Sequence, residues 1–401
     1  MIPTPHNKHA YFFRFLARYS FLFGLSLAAF PTSSGERGYV TKADRGEGFH
    51  FWHHDWEMAC DNTRTCRAAG YHSETDELGI SILLTRKAGP NAAVSGEVMI
   101  GQYGESPVTD NLPKNFTLWL YINQQRIGGV KVERSSLTAK IPTSLLRPLL
   151  VAISGNSQIE WVHGSDRWHL SGQGATATLL KMDEFQGRID TPGALIKKGD
   201  KSEYAVRPDL PLPVLIKPAL PKPQPGDATF AEGYKAELIK TLRNNLTEKT
   251  KGIPSKDPYC PDLLSTESES SPESDEFNPE PELTSLRLSD TKMLVSVFCW
   301  RAAYNAGYGH WVVNDKPPFD PILITTLENN DSGDGILSAA QKSRGLGDCW
   351  SHEDWTWDGT NFVHTHSSST GMCRLMAPGG AWSLPTLVTN IQQAKSNRLA
   401  K

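Results

Sequence analysis

The chain of 401 residues lacks any apolar run long enough to stay in a bilayer as a helix, for which roughly 20 residues are needed. The hydrophobic run near its start, Tyr19 to Phe30, has only twelve uncharged, mostly apolar or small residues. It also lacks C-x-x-C, which removes the usual spacing of a zinc ribbon or a thioredoxin-like site. There is no G-x-S-x-G elbow, no Walker A loop and no G-x-G-x-x-G, so the commonest hydrolase, nucleotide and dinucleotide signatures are missing. His352-Glu353 begins like a zincin helix, but Thr356 stands where the second His is required. Strong charge of either sign is absent too, with 41 basic and 44 acidic residues and a net charge of -3. Nothing here favours nucleic acid as a partner.

What is present begins with an export signature. Lys8, Arg14 and Arg18 lie in the first eighteen residues with no acid and lead directly into the twelve-residue run. A basic flank followed by a short hydrophobic run reads as a signal peptide, residues 1–34, with cleavage expected after Ala28 or Ser34. Removing 1–34 takes away three positive charges, from -3 to -6. The product is expected to be a periplasmic or secreted protein without a stable transmembrane anchor. Six cysteines remain in it, an even number, and export makes disulfides the expected state. Neighbourhood in the chain suggests Cys60 with Cys66, Cys260 with Cys299 and Cys349 with Cys373.

The fold expected is mainly β: two β-rich, sandwich-like domains, 50–200 and 283–401, with a few short helices and a Pro-rich linker between. Gly79 to Arg86, Ala93 to Gly101, Phe116 to Asn123 and Arg126 to Val132 are short, rich in β-branched and aromatic residues, and punctuated by Gly, Pro and Asn. In the third of these Thr117, Trp119 and Tyr121 alternate with Leu118, Leu120 and Ile122, which suggests a strand covered on both faces. Thr143 to Ser154 and Leu180 to Arg188 are the helical candidates of this half. Seven prolines between Arg207 and Gly226 predict a polyproline II spacer over 201–226. An amphipathic helix is expected over 227–250, with Phe230, Tyr234, Leu238, Leu242 and Leu246 four apart and Thr229 and Glu232 as a capping box. Residues 261–282 hold eight acids and no Lys or Arg, the composition of a disordered acidic loop. Strands follow at His310 to Val313 and Ile322 to Leu327, and Trp355 to Asp358 with Phe362 to Thr365 make a hairpin about Asp358-Gly359.

Several separated motifs carry a family resemblance. They include Asp55-Trp56, Cys60 to Cys66, Arg86 to Pro90, Met182 to Arg188, Cys299-Trp300-Arg301, Tyr304 to Gly307, Arg344 to Cys349 and Trp357-Asp358-Gly359. Together the chain resembles the bacterial family called domain of unknown function 1176, over nearly all of the part after the signal. The first half also resembles the invasion-associated locus B proteins, which implies a β-sandwich at the periplasm or cell surface. Ser343 and Trp350 depart from the family pattern, which has Gly at both. Neither family name implies an activity.

The chemistry-bearing residues concentrate between Asp348 and Asp358. In a strand, Glu353, Trp355 and Trp357 share one face, and His352, Asp354, Thr356 and Asp358 the other. The binding candidates are Trp350, His352, Glu353, Asp354, Trp355 and Trp357, since carboxylates beside aromatic faces suit a glycan. They also suit a core, if the Trp side chains are buried and the acids line a hairpin in water. His364 and His366 would place two imidazoles on one strand face, and Asn330 to Gly335 has a calcium-like spacing whose twelfth position is Gln341 rather than Glu. Neither is expected to hold a metal, and no catalytic residue or cofactor is assigned. Arg86, Lys87, Asp183, Glu184 and Arg188 are candidates for an internal ion-pair network. The leading reading is a noncatalytic envelope protein binding an envelope glycan or protein. A carbohydrate-active hydrolase using acids near 348–358, or an acidic inhibitor of a basic host enzyme such as a lysozyme, are the alternatives.

Overall fold

A computed structural model describes residues 48–103, 108–251, 260–265, 281–331 and 333–394. Residues 1–34, where a signal peptide is expected, and residues 266–280 of the expected acidic loop lie outside the described residues. In the first half, β1 (Phe49–His53), β2 (Trp56–Cys60), β3 (Cys66–Tyr71), β4 (Ile80–Arg86) and β5 (Val94–Ile100) are successive antiparallel neighbours, with β8 (Thr138–Ile141) beyond β5. A four-stranded sheet runs β10 (Asp166–Leu170), β9 (Ile159–His163), β6 (Asn115–Ile122) and β7 (Gln125–Glu133). A short helix, α1 (Val108–Asn111), precedes β6. Met58, Ile82 and Leu84 from the first sheet share a core with Leu118, Leu120 and Trp161 from the second. Leu149 of α2 (Thr143–Ile153) and Leu179 and Met182 of α3 (Ala175–Gln186) pack into the same core.

The alternation in β6 resolves differently from the sequence reading. Phe116, Leu118 and Leu120 are buried, but Trp119 is 36% exposed, so only one face is covered. Trp and Tyr carry enough apolar surface to imitate a core face in sequence while standing half in water.

In the second half, β12 (Leu283–Arg287), β13 (Lys292–Arg301), β14 (Ala306–Asn314) and β15 (Ile322–Glu328) form an antiparallel sheet. One face carries Met293, Val295, Val297 and Trp311, packed on α5 (Lys235–Thr250) and α6 (Pro261–Leu264) through Leu238, Leu242, Leu246 and Leu263. The other carries Leu294 and Val312, packed against a five-stranded sheet of β16 (Asn330–Asp331), β17 (Ile336–Lys342), β18 (Trp350–Trp357), β19 (Phe362–Ser369) and β20 (Leu384–Leu387). The expected helix 227–250 is two helices, because α4 (Asp227–Gly233) and α5 meet at Tyr234, whose ψ of 15° breaks the spiral. No capping box starts it. Gly226, at φ 93°, turns the chain, and Asp227 is held by Arg287 at 2.7 Å. The first residues of the expected acidic loop, 261–264, are helical because Leu263 is fully buried and Arg243 Nε binds its carbonyl at 2.6 Å.

Two further expectations are corrected. The linker is not polyproline II throughout, since β11 (Val214–Lys217) pairs in parallel with β21 (Asn390–Gln393). The four residues between Pro213 and Pro218 are free to use their N–H groups, and Pro213 still offers a carbonyl, which accepts from Asn390 N at 2.8 Å. Nor are the two β-rich parts packed separately. Residues after β19 reach back to the first sheet, where Met376, Ala381 and Leu384 share a cluster with Ala59, Ala69 and Tyr71. Met372 N donates to Glu57 at 2.5 Å, Arg374 to Asp55 at 2.8 Å, and Trp382 Nε1 to Ser81 at 2.7 Å. Burial, followed by the charge of Glu57, holds the Tyr71 hydroxyl well above its ordinary pKa at this junction. The sequence reading overlooked the segment because its apolar residues are scattered rather than periodic.

All three disulfides join the expected partners, Cys60–Cys66, Cys260–Cys299 and Cys349–Cys373. The ion-pair network is partly the one expected. Arg86 binds Asp183 at 2.6 Å and Gln186 at 2.8 Å, and Arg188 binds Glu203 at 3.3 Å. Glu184 instead pairs with Lys181, and Lys87 is exposed and contributes its carbonyl. Among the described residues no helix is long and apolar enough to cross a membrane.

Candidate functional site

The Asp348–Asp358 cluster lies mostly on β18, between β17 and β19 in the five-stranded sheet. Its hairpin partner β19 follows a turn in which Asp358 accepts from Thr360 N and Asn361 N, both at 2.7 Å, and Gly359 takes φ 103°. Strand alternation then divides the six candidates into two sets of three.

Glu353, Trp355 and Trp357 point to the inner face. Trp357 is 1% exposed and packs with Leu294, Val312 and Leu337 between the sheets. Trp355 stacks on His364 at 5.3 Å, and Glu353 is hydrogen-bonded to His364 and to Ser367, the latter at 2.9 Å. Trp350, His352 and Asp354 line the outer face with Thr356. The Trp350 ring stacks on His352 with centroids 6.3 Å apart and planes 11° apart, and it is pinned by a bond from Nε1 to Gly347 O at 2.9 Å. Lys342 Nζ stands 5.2 Å from the same ring. Burial, then the neighbouring His366, holds the His352 imidazole below its ordinary pKa, against an opposite pull from Asp354 and Glu353.

At the Asp354 end of this stripe the surface dips into a cavity of about 210 Å³. Asp354, His366 and the hydroxyl residues Thr356, Thr365 and Thr389 line it, with Ile336 and Ile391 as apolar walls. Such a wall supplies a carboxylate acceptor, an imidazole and three hydroxyls around a space the size of a single small ring. Ile391 belongs to β21, so the strand docked on the proline-rich segment forms one side of the cavity.

His364 and His366 do not share a face as their spacing suggests. Asp354 pairs with His366 while Trp355 pairs with His364, which leaves Thr365 as an extra residue in a β-bulge. His364 therefore meets Glu353 inside, and His366 faces the cavity and bonds Ser368 at 2.9 Å. Among the described residues no group of three or more His, Cys, Asp or Glu is placed to hold a metal. In the calcium-like segment, Asp334 accepts from Lys217 Nζ at 2.6 Å.

One constellation escaped the sequence reading. Ser296 Oγ lies 2.7 Å from His310 Nδ1, and His310 Nε2 lies 2.7 Å from Glu328. The signal was a polar residue at an inward position of each apolar strand. All three residues are buried.

The family model described as "Protein of unknown function (DUF1176)" matches residues 50–389. The chain belongs to that family. It is similar to the uncharacterized protein YpfG of Escherichia coli (strain K12), 25% identical over 355 residues that cover 83% of this chain and 90% of the relative. No solved structure matches the chain. In this DUF1176 chain the motif residues mostly hold turns and junctions. Asp61 accepts from Thr63 N at 2.9 Å and Arg67 at 2.8 Å, and Asp348 accepts from Arg344 and from Leu375 N at 2.8 Å.

Proposed function

We propose that this chain is an exported, noncatalytic binding protein of the bacterial cell envelope, which holds a glycan on the outer face of the β18–β19 hairpin. The observation that carries the reading is the cavity beside Asp354 and His366, at the end of the Trp350–His352 stack. A cavity of carboxylate, imidazole and hydroxyl groups suits one sugar ring, and the Trp350–His352 stack lies farther along the same strand face. Export is supported by three disulfides together with the basic and hydrophobic N-terminal sequence.

The hydrolase alternative needs two carboxylates facing one substrate. Asp354 is the one carboxylate lining the cavity among the described residues. Glu353 points to the opposite face, Asp348 is engaged by Arg344, and Asp358 is spent on its turn. The acidic inhibitor alternative rests on the acidic insertion 261–282, of which 266–280 lie outside the described residues.

Calorimetric titration of the exported protein with soluble peptidoglycan fragments and envelope oligosaccharides tests the proposal. One of them is expected to bind saturably, and Asp354→Asn is expected to weaken it at least about tenfold, the loss of a charge-assisted hydrogen bond. Binding that Asp354→Asn leaves unchanged, or product release from the glycan, would reject the reading.

A further inference from the structure

The open face of the sheet β10-β9-β6-β7 lies in the other half of the chain and is independent of the hairpin cavity. Thr117, Trp119 and Tyr121 point outward from β6, and the burial of Phe116, Leu118 and Leu120 on the opposite side fixes that direction. Opposite Trp119 on β7 stands Gly129. A Cβ there would meet Trp119 Cε3 at 2.8 Å and Thr117 Cγ2 at 2.7 Å, so glycine lets the indole lie down across the strand. The Arg126 guanidinium then lies over the indole, 4.8 Å from its centroid, and Arg167 lies 5.8 Å from the Tyr121 ring.

The charge on this face leans positive, with Arg126, Lys131 and Arg167 against Glu160 and the exposed Glu133, which stands opposite Asn115 at the end of β7. Glu160, its buried acid, is already engaged by His169 at 2.9 Å and approached by Arg167 at 3.6 Å. Arg126 and Lys131 are both exposed and make no ion pair among the described residues. A chain of net charge -3 thus gathers exposed cations around two half-exposed aromatic rings. A guanidinium over an indole still has N–H donors to offer, and a planar carboxylate fits its fork. The rings beside it offer apolar area to a ligand that alternates ring faces with anionic groups.

We infer that this face is a binding site for an acidic polysaccharide, one whose sugar rings carry carboxylates. The rings lie against the sheet rather than protruding, so they have no wedge to bury in a lipid bilayer. Three exposed cations fall short of the phosphate contacts that hold nucleic acid at ordinary salt.

The test is affinity electrophoresis of the full exported protein in gels containing polygalacturonate, with neutral dextran, poly-glutamate and anionic phospholipid vesicles as comparison probes. Polygalacturonate is expected to retard the wild-type protein, increasingly at low salt, and the other three to retard it at least about fivefold less. Trp119→Ala and Arg126→Gln are each expected to weaken retention at least about fivefold with an unchanged melting curve for Arg126→Gln, whose side chain is exposed. Lys240→Gln, which removes an exposed cation from α5 in the other half of the chain, is expected to bind as wild type. No retardation by polygalacturonate, equal retardation by poly-glutamate or vesicles, wild-type binding by Arg126→Gln, or loss of binding in Lys240→Gln would each overturn the inference.

Discussion

The two faces of strand β18 carry the same kinds of residue, Trp, a carboxylate and a His partner, in two different states. Inside, Trp357 fills the space between sheets and Glu353 is tied to His364 and Ser367. Outside, Trp350 is pinned at its edge and stacked on His352 but stays partly exposed, and Asp354 borders a cavity. Composition therefore says little about which residues are available to a ligand, whereas their parity in the strand and what the next layer covers decide it. The sharpest way to break this comparison is to delete the two tryptophans in turn. Trp357→Ala should cost about 3 to 5 kcal/mol by loss of transfer energy and a residual cavity. Trp350→Ala should cost less than about half as much, since its ring is partly solvated. Chemical denaturation reads both, and equal losses would show that the outer ring is as deeply packed as the inner one.

The carboxylates give a smaller, parallel contrast. Glu353→Gln should lower stability by about 1 kcal/mol, because it weakens two charge-assisted hydrogen bonds that are only partly shielded from water. Asp354→Asn should stay within about 0.5 kcal/mol of wild type, as expected for a residue beside a cavity. A larger effect at Asp354 than at Glu353 would reverse the assignment of the two faces.

Much of the architecture was legible because it rests on local rules. The limits of β4 to β7 to within one residue, the Asp358-Gly359 turn and the disulfide partners follow from short-range patterns and neighbourhood, whereas β14, β18 and β19 run well beyond the four residues expected of each. The face assignment of Trp355 and Trp357 was legible for the same reason, since alternation needs no knowledge of the partner strand. What was hidden depended on distant partners. The Thr365 bulge that separates His364 from His366 exists only in relation to β18, and β11 exists only because β21, far along the chain, lies beside it. The cavity draws on Thr389 and Ile391 as well as Asp354, so no window of sequence contains it. Arg126 over Trp119 was missed for another reason, that an aromatic strand reads as core whether or not anything covers it.

The smallest expected effect concerns pH and tests whether the outer stripe is partly dry. His352 has its pKa lowered from about 6.5, first by burial and next by His366, while Asp354 and Glu353 oppose the shift. The unfolded chain consequently binds the proton at a higher pH than the folded one does. Between the ordinary value and the lower folded one the unfolded state holds more protons, so stability rises with pH across that window. The contribution is complete above the ordinary value and is lost as the pH falls toward and through the folded one. His352→Gln removes this titration and leaves the shared carboxylates and His366 in place. The denaturation midpoint of wild type should therefore fall further than that of His352→Gln when the pH is taken from about 7.5 to about 5.5. Equal falls in the two proteins would mean that the imidazole is as well hydrated folded as unfolded, and that the Trp350 stack does not dry the outer face.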